Sequence, residues 1–233
     1  LAISSAASDV YKRQVLKTDG SGALSWTAAS SGASNVNGLS DALIEDNSLY
    51  LGQDPSSTTS TAEYNLSVGA TALDAVTTGD ANIAIGHDAL SANTTGSGNL
   101  AIGYGAYDNA DTEGNNMAIG RDALGGSING GETNIAIGNY SLDANTSGDL
   151  NIGLGYVALT QNSTGSSNVG IGNSAMQLNQ TGSSNTTLGN NSMKSSLSSS
   201  YNTAVGAEAL FDANRTADTD GYNTALGYNA GNT

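Results

Sequence analysis

The chain has 233 residues and a formal net charge of −15, from 6 Lys and Arg against 21 Asp and Glu. That balance argues against nucleic acid, which needs clustered cations to neutralise phosphates, and against an anionic membrane surface. With no cysteine there are neither disulfides nor thiolate metal sites, and no apolar run approaches the ~20 residues of a membrane span. Aromatics make up 5% and charged residues 12%, while glycine reaches 31 copies. Ordinary domains carry about 25% charged residues. So few large and charged side chains leave two options, disorder or a repetitive β architecture.

In chain order, residues 1–14 come first. They include Asp9-Val10-Tyr11-Lys12-Arg13-Gln14, which looks like the translation of a transposon-end adapter from a sequencing library. They are set aside as an artefact or a disordered leader. Residues 15–30 read as a small hairpin, with Asp19-Gly20 as the turn and Leu24 and Trp26 alternating onto one face. Residues 31–63 read as a flexible linker and an N-terminal cap. Within them, Ser40 to Asp46 is expected as a short helical turn with Ser40 as N-cap. Leu49-Tyr50-Leu51-Gly52 reads as a degenerate repeat, and Pro55 sits in a polar loop.

Residues 64–233 carry a period. Ten glycines fall in register: Gly69, Gly86, Gly103, Gly120, Gly138, Gly155, Gly172, Gly189, Gly206 and Gly227. They are 17 residues apart, with steps of 18 before Gly138 and 21 before Gly227. Four residues ahead of each stands an asparagine, as in Asn82, Asn99, Asn134 and Asn202. The residue before each glycine is aliphatic, as in Ile85, Ile102, Ile137 and Val205. Two residues earlier lies a second apolar column, which turns to threonine at Thr186, Thr203 and Thr224. Between the two runs a column of small residues, such as Ala84, Ala101 and Gly153. A further pair, Ala89-Leu90 in the second copy, recurs three to four residues after the glycine. The last copy stops inside its unit, so the array is expected to continue past Thr233.

A fixed period of this length is the signature of stacked repeats. Side chains alternate along a strand, so the two aliphatic columns share one face. We expect them to fill the coil interior, with the small column outside. Stacked asparagines are expected to form an amide ladder, and each glycine a corner with positive φ. The Ala-Leu pair marks a second strand or a short helical turn. The fold class is therefore all-β, a parallel β-solenoid of ~17-residue coils. So thin a core points to association between chains.

Catalytic and metal chemistry find little support. The sole histidine, His87, occupies a position held by Tyr104, Arg121, Asn139 and Ala207 in other copies, which marks a solvent-facing substitution. Asp218-Thr219-Asp220-Gly221 offers two carboxylates of the kind that bind Ca²⁺. It lacks the spacing of an EF-hand and of the Ca²⁺-binding β-roll nonapeptide, and a plain acidic loop is expected. No enzyme activity, cofactor or metal is assigned.

The units Asn82-Ile83-Ala84-Ile85-Gly86 and Asn202-Thr203-Ala204-Val205-Gly206 resemble the head repeats of YadA-like trimeric autotransporter adhesins. The longer unit, with Ala89-Leu90 and the Asn93-to-Gly96 turn, is more similar to tail-fibre and appendage proteins of marine bacteriophages. So is Gln14-Val15-Leu16-Lys17-Thr18-Asp19-Gly20 running into Leu24-Ser25-Trp26. The resemblance implies a homotrimeric fibre segment in a virion, a rigid shaft whose loops contact a host receptor or glycan. The alternative it implies is an adhesin head on a bacterial surface.

Overall fold

The computed structural model describes residues 14–18, 24–28, 42–52, 59–127, 129–212 and 221–232. Residues 1–13, the Asp19-Gly20 turn, the linker with Ser40, Pro55, and the Asp218 and Asp220 pair lie outside them. Every regular element among the described residues is a strand.

Strands β1 (Gln14–Thr18) and β2 (Leu24–Ala28) pair antiparallel, with Leu16 opposite Trp26. The side chains of Leu24 and Trp26, expected on one face, lie outside the described structure. Strands β3 (Ala42–Glu45) and β4 (Ser48–Leu51) form a second antiparallel pair. This corrects the helical turn expected from Ser40 to Asp46. Asp46 and Asn47 both take left-handed φ, 44° and 60°, and so close a two-residue hairpin loop. Its second strand then stacks in parallel on the next, Leu49 beside Leu66 and Leu51 beside Val68.

Ten three-residue strands follow, one per coil. They are β5 (Leu66–Val68), β6 (Ile83–Ile85), β7 (Leu100–Ile102), β8 (Met117–Ile119) and β9 (Ile135–Ile137). Then come β10 (Ile152–Leu154), β11 (Val169–Ile171), β12 (Thr186–Leu188), β13 (Thr203–Val205) and β14 (Thr224–Leu226). All ten are parallel neighbours in sequence order, and with β3 and β4 they make one 12-stranded sheet. Register is set by the repeat: Ile83 pairs Leu100, Ala84 pairs Ala101, Ile85 pairs Ile102.

The Ala-Leu pair is neither strand nor helix. Leu90 has φ 52°, and its counterparts across the first nine coils repeat this value closely, as Leu73 (53°), Leu142 (52°) and Leu159 (53°) do. A leucine in this region costs roughly 1–2 kcal/mol. The bend offsets that by driving the leucine inward and by freeing its N–H for the next coil, as in Leu90 N–H to Ala106 O at 3.1 Å. The polar turn supplies another line of bonds between coils, for example Thr77 N–H to Thr94 O at 2.9 Å.

The interior reverses the expected faces. Ala84, Ala101, Ala118, Ala136 and Ala204, from the small column, are fully buried. So are Leu73, Leu90, Tyr107, Leu124, Leu142, Leu159, Met176 and Met193. The aliphatic pairs stand outside: Ile83 is 38% exposed and Leu154 39%. The cause is width. A Cβ added at Gly170, in the small column, would sit 3.1 Å from Leu159 Cγ on the opposite wall. With one large side chain per coil reaching across, the inner face of the ten coil strands holds only glycine, alanine, serine or threonine.

The asparagine column is a ladder along the whole array. Asn99 N–H donates to Asn82 Oδ1 at 2.9 Å, Asn116 N–H to Asn99 Oδ1 at 2.9 Å, and Asn134 N–H to Asn116 Oδ1 at 2.8 Å. At the far end Asn202 N–H reaches Asn185 Oδ1 at 2.9 Å. From Asn65 to Asn185 each Nδ2 clasps a closing turn, as Asn82 does to Gly96 O at 2.9 Å and Asn151 to Gly165 O at 2.8 Å. Sequence reading missed a second buried column: Asn93, Asn145, Asn162 and Asn179. Asn162 Nδ2 donates to Asn145 Oδ1 at 2.9 Å, and Asn179 Nδ2 to Asn162 Oδ1 at 2.7 Å. The Asn-Thr-Thr-Gly pattern held the signal, but its asparagine reads as a turn residue until the coil closes around it.

Coil three departs from the rule, with compensation. Tyr107 replaces the leucine and receives Asn116 Nδ2 on its hydroxyl at 2.5 Å. Ala110 stands where the second asparagine would be. Glu113 replaces the turn glycine and is nearly buried, and its carboxylate accepts the N–H groups of Thr112 at 3.1 Å and Gly130 at 2.9 Å.

Candidate functional site

The residues chosen from sequence fall into three places. Asn82, Asn99, Asn134 and Asn202 are the buried ladder. Gly86, Gly103, Gly138 and Gly206 are corners, with φ from 128° to 142°. Ile85, Ile102, Ile137 and Val205 stand on the outside of the sheet, half-buried by their neighbours.

That outer face is the most distinctive surface of the molecule. It presents two side chains per strand over ten strands, and none of them is charged. Two borders flank it. One is the residue just before each ladder asparagine, where Tyr64, Leu150, Tyr201 and Tyr222 are exposed. The other follows each corner glycine, where Tyr104, Tyr156 and Tyr228 are exposed. Among the residues from Tyr64 onward that the structure describes, every large hydrophobic side chain that is well exposed lies on this face or its borders, except Leu197. The strands repeat every ~4.8 Å, so the strip runs on the order of 45 Å. Exposed apolar side chains gathered in one continuous strip, rather than scattered singly, mark an interaction surface.

The corner border is knitted together. The His87 ring stacks on Tyr104 with centroids 5.5 Å apart. The Arg121 guanidinium lies 5.4 Å from the Tyr104 centroid and 5.9 Å from that of Tyr140. Tyr140 meets Tyr156 edge-on at 6.3 Å. Carboxylates hold the two basic members, with His87 Nδ1 2.7 Å from Asp88 and Arg121 Nε 3.1 Å from Asp122. At the other border Tyr201 and Tyr222 stack at 5.0 Å, nearly parallel. His87 is thus a surface member of a stack.

Beside this border runs a zigzag of carboxylates, Asp74, Asp88, Asp108, Asp122 and Asp143. Burial, opposed by a backbone hydrogen bond and reinforced by Asp122, Asp88 and Asp143, pushes the Asp108 carboxyl from 3.8 up to about 6. Burial also raises Asp74 and Asp143. A carboxyl raised on folding is held protonated more tightly by the folded chain. Its contribution to stability is complete below about pH 4 and is lost as pH rises through about 6. The melting temperature should therefore be higher at pH 5 than at pH 7.5, and Asp108→Asn should flatten that slope and raise the value at pH 7.5. A melting temperature that climbs between these pH values would contradict the assignment.

Among the described residues no three acidic or histidine side chains gather as a metal site. The candidate carboxylates Asp218 and Asp220 lie outside the described residues. Comparison with protein-family models, with curated proteins and with solved structures finds no match.

Proposed function

We propose that this chain is a structural fibre segment, a shaft element of a bacteriophage tail fibre or related appendage. In this reading copies of the chain cover one another's aliphatic faces as a homotrimer. The observation that carries the self-association is the outward aliphatic strip. Exposing it to water is costly, and burying it against copies of itself stabilises both partners. Two outward side chains on each of ten strands offer a continuous face for such burial. Its composition fits as well, apolar at the centre with tyrosine and arginine at the rim. The lack of charge on the strip lets chains of net charge −15 meet without bringing like charges together. A coil knitted by ladders on every wall suits a mechanical load. The virion setting and the threefold symmetry come from the resemblance of the repeats, and contact with a host receptor or glycan would fall to the side chains that differ from coil to coil.

The test is a pair of substitutions at the centre of the strip, Ile119→Asp with Ile137→Asp, read by light scattering and circular dichroism. The mass should fall from trimer to single chain while the β signal persists. Leu197→Asp, exposed but off the strip, should leave the mass unchanged. An unchanged mass in the first variant would sink the proposal.

A further inference from the structure

A face built of identical rungs has a problem of register. Two copies sliding by one coil, ~4.8 Å, exchange one aliphatic rung for another. Flat, repetitive strands specify register weakly, and natural assemblies fix it with a polar residue in an otherwise apolar seam. At the first outward position of the strand, the seven coils from Leu66 to Val169 are all apolar. The last three carry Thr186, Thr203 and Thr224, and all three are exposed. They change nothing inside the coil, because the inward residues there, Thr187, Ala204 and Ala225, remain buried.

We infer that Thr186, Thr203 and Thr224 form the register mark of the self-assembled face, an inference that rests on the assembly proposed above. With copies parallel and in register, each threonine faces its own counterpart, and their hydroxyls satisfy one another across the seam. A slip of one coil sets the Thr186 hydroxyl against Val169 of a neighbouring copy. A hydroxyl is then desolvated without a partner. Slips of two and three coils add a second and a third mismatch. Valine has the shape of threonine without the hydroxyl, so replacing the block should erase the mark while leaving the apolar contact in place.

Because the chain has no cysteine, disulfides can report the register directly. Full-length chains bearing Leu154→Cys are co-expressed with differently tagged chains bearing Ile171→Cys, and the assemblies are oxidised mildly. Like-rung disulfides (154 to 154, 171 to 171) should exceed adjacent-rung ones by on the order of tenfold, as expected for one unsatisfied hydroxyl per slipped contact. In chains that also carry Thr186→Val, Thr203→Val and Thr224→Val, the two classes should approach parity at unchanged mass and circular dichroism. If the triple variant keeps the like-rung preference, the threonines are not the mark and this inference fails, although the assembly stands. If no intermolecular disulfide forms in either background and the mass is that of one chain, the assembly itself is overturned.

Discussion

Asn151→Ala should lower the unfolding free energy by about 2–4 kcal/mol, because it orphans the buried Asn168 N–H at ~1–3 kcal/mol and removes one of two bonds at Gly165 O and Asn168 Nδ2, which keep Asn162 Nδ2 and Gly182 O. Asn151 Oδ1 accepts the Asn168 N–H at 3.0 Å and Asn168 Nδ2 at 3.1 Å. Asn151 Nδ2 satisfies Gly165 O at 2.8 Å. Asn151 and Asn168 are fully buried, so the Asn168 N–H left behind is shielded from bulk solvent. A loss of this size is a large share of the ~5–15 kcal/mol that a typical domain possesses. Asn151→Asp should do no better at neutral pH. It keeps an acceptor for the Asn168 N–H, but it loses the donor to Gly165 and buries a charge. Denaturant unfolding followed by circular dichroism measures both. A change below about 1 kcal/mol for Asn151→Ala would mean that the ladder carries little of the stability.

The second large effect is expected at a corner. Gly120 has φ 136°, and a Cβ there would lie 2.7 Å from both the carbonyl carbon and the oxygen of Gly138 in the next coil. Both atoms are backbone, held by Gly138 N–H to Ile119 O at 2.7 Å, so neither can swing aside. Gly120→Ala combines a disfavoured φ with overpacking, each of the order of 1–3 kcal/mol, and should cost about 3–5 kcal/mol. The damage should be local to adjoining coils, since a solenoid transmits stability from neighbour to neighbour. Hydrogen exchange would then show the greatest loss of protection around β8 and β9, with β12 and β13 nearly unaffected. Uniform loss along the array would contradict that picture.

The period, the ladder and the corners were legible in the sequence for one reason. In a stack, each residue packs on its own equivalent, so an asparagine or a glycine that serves one coil serves them all. Gly86 and Asn82 are readable because nothing else can do their work at those positions. The faces of the strand were not readable in the same way. Alternation says that Ile83 and Ile85 share a side, but not which side is inside. The deciding fact was the reach of Leu90 and its equivalents across a coil only one side chain wide. That reach depends on a left-handed φ at leucine, which no propensity would assign. The short strand at Ala42–Glu45 was missed for a related reason. Ser40-to-Asp46 satisfies a capping rule locally, while pairing with Ser48–Leu51 and stacking on the first full coil overrides it.

The reversal of faces also reshapes the functional reading. Had the isoleucines filled the coil, the outside would be small and polar, and self-association would have little to bury. With alanine inside, the chain's most apolar strand residues are left facing out. Tyrosines gather along the edges of that strip, and the carboxylates are kept beside it.

The most direct test of this arrangement is the solution mass of the full chain by light scattering, with circular dichroism recorded on the same sample. A homotrimer closed over the aliphatic faces should weigh three times the 23.2 kDa of one chain and give a strong β signal. A single-chain mass with the β signal intact would show that the aliphatic face is stable in water, and would contradict self-association through it.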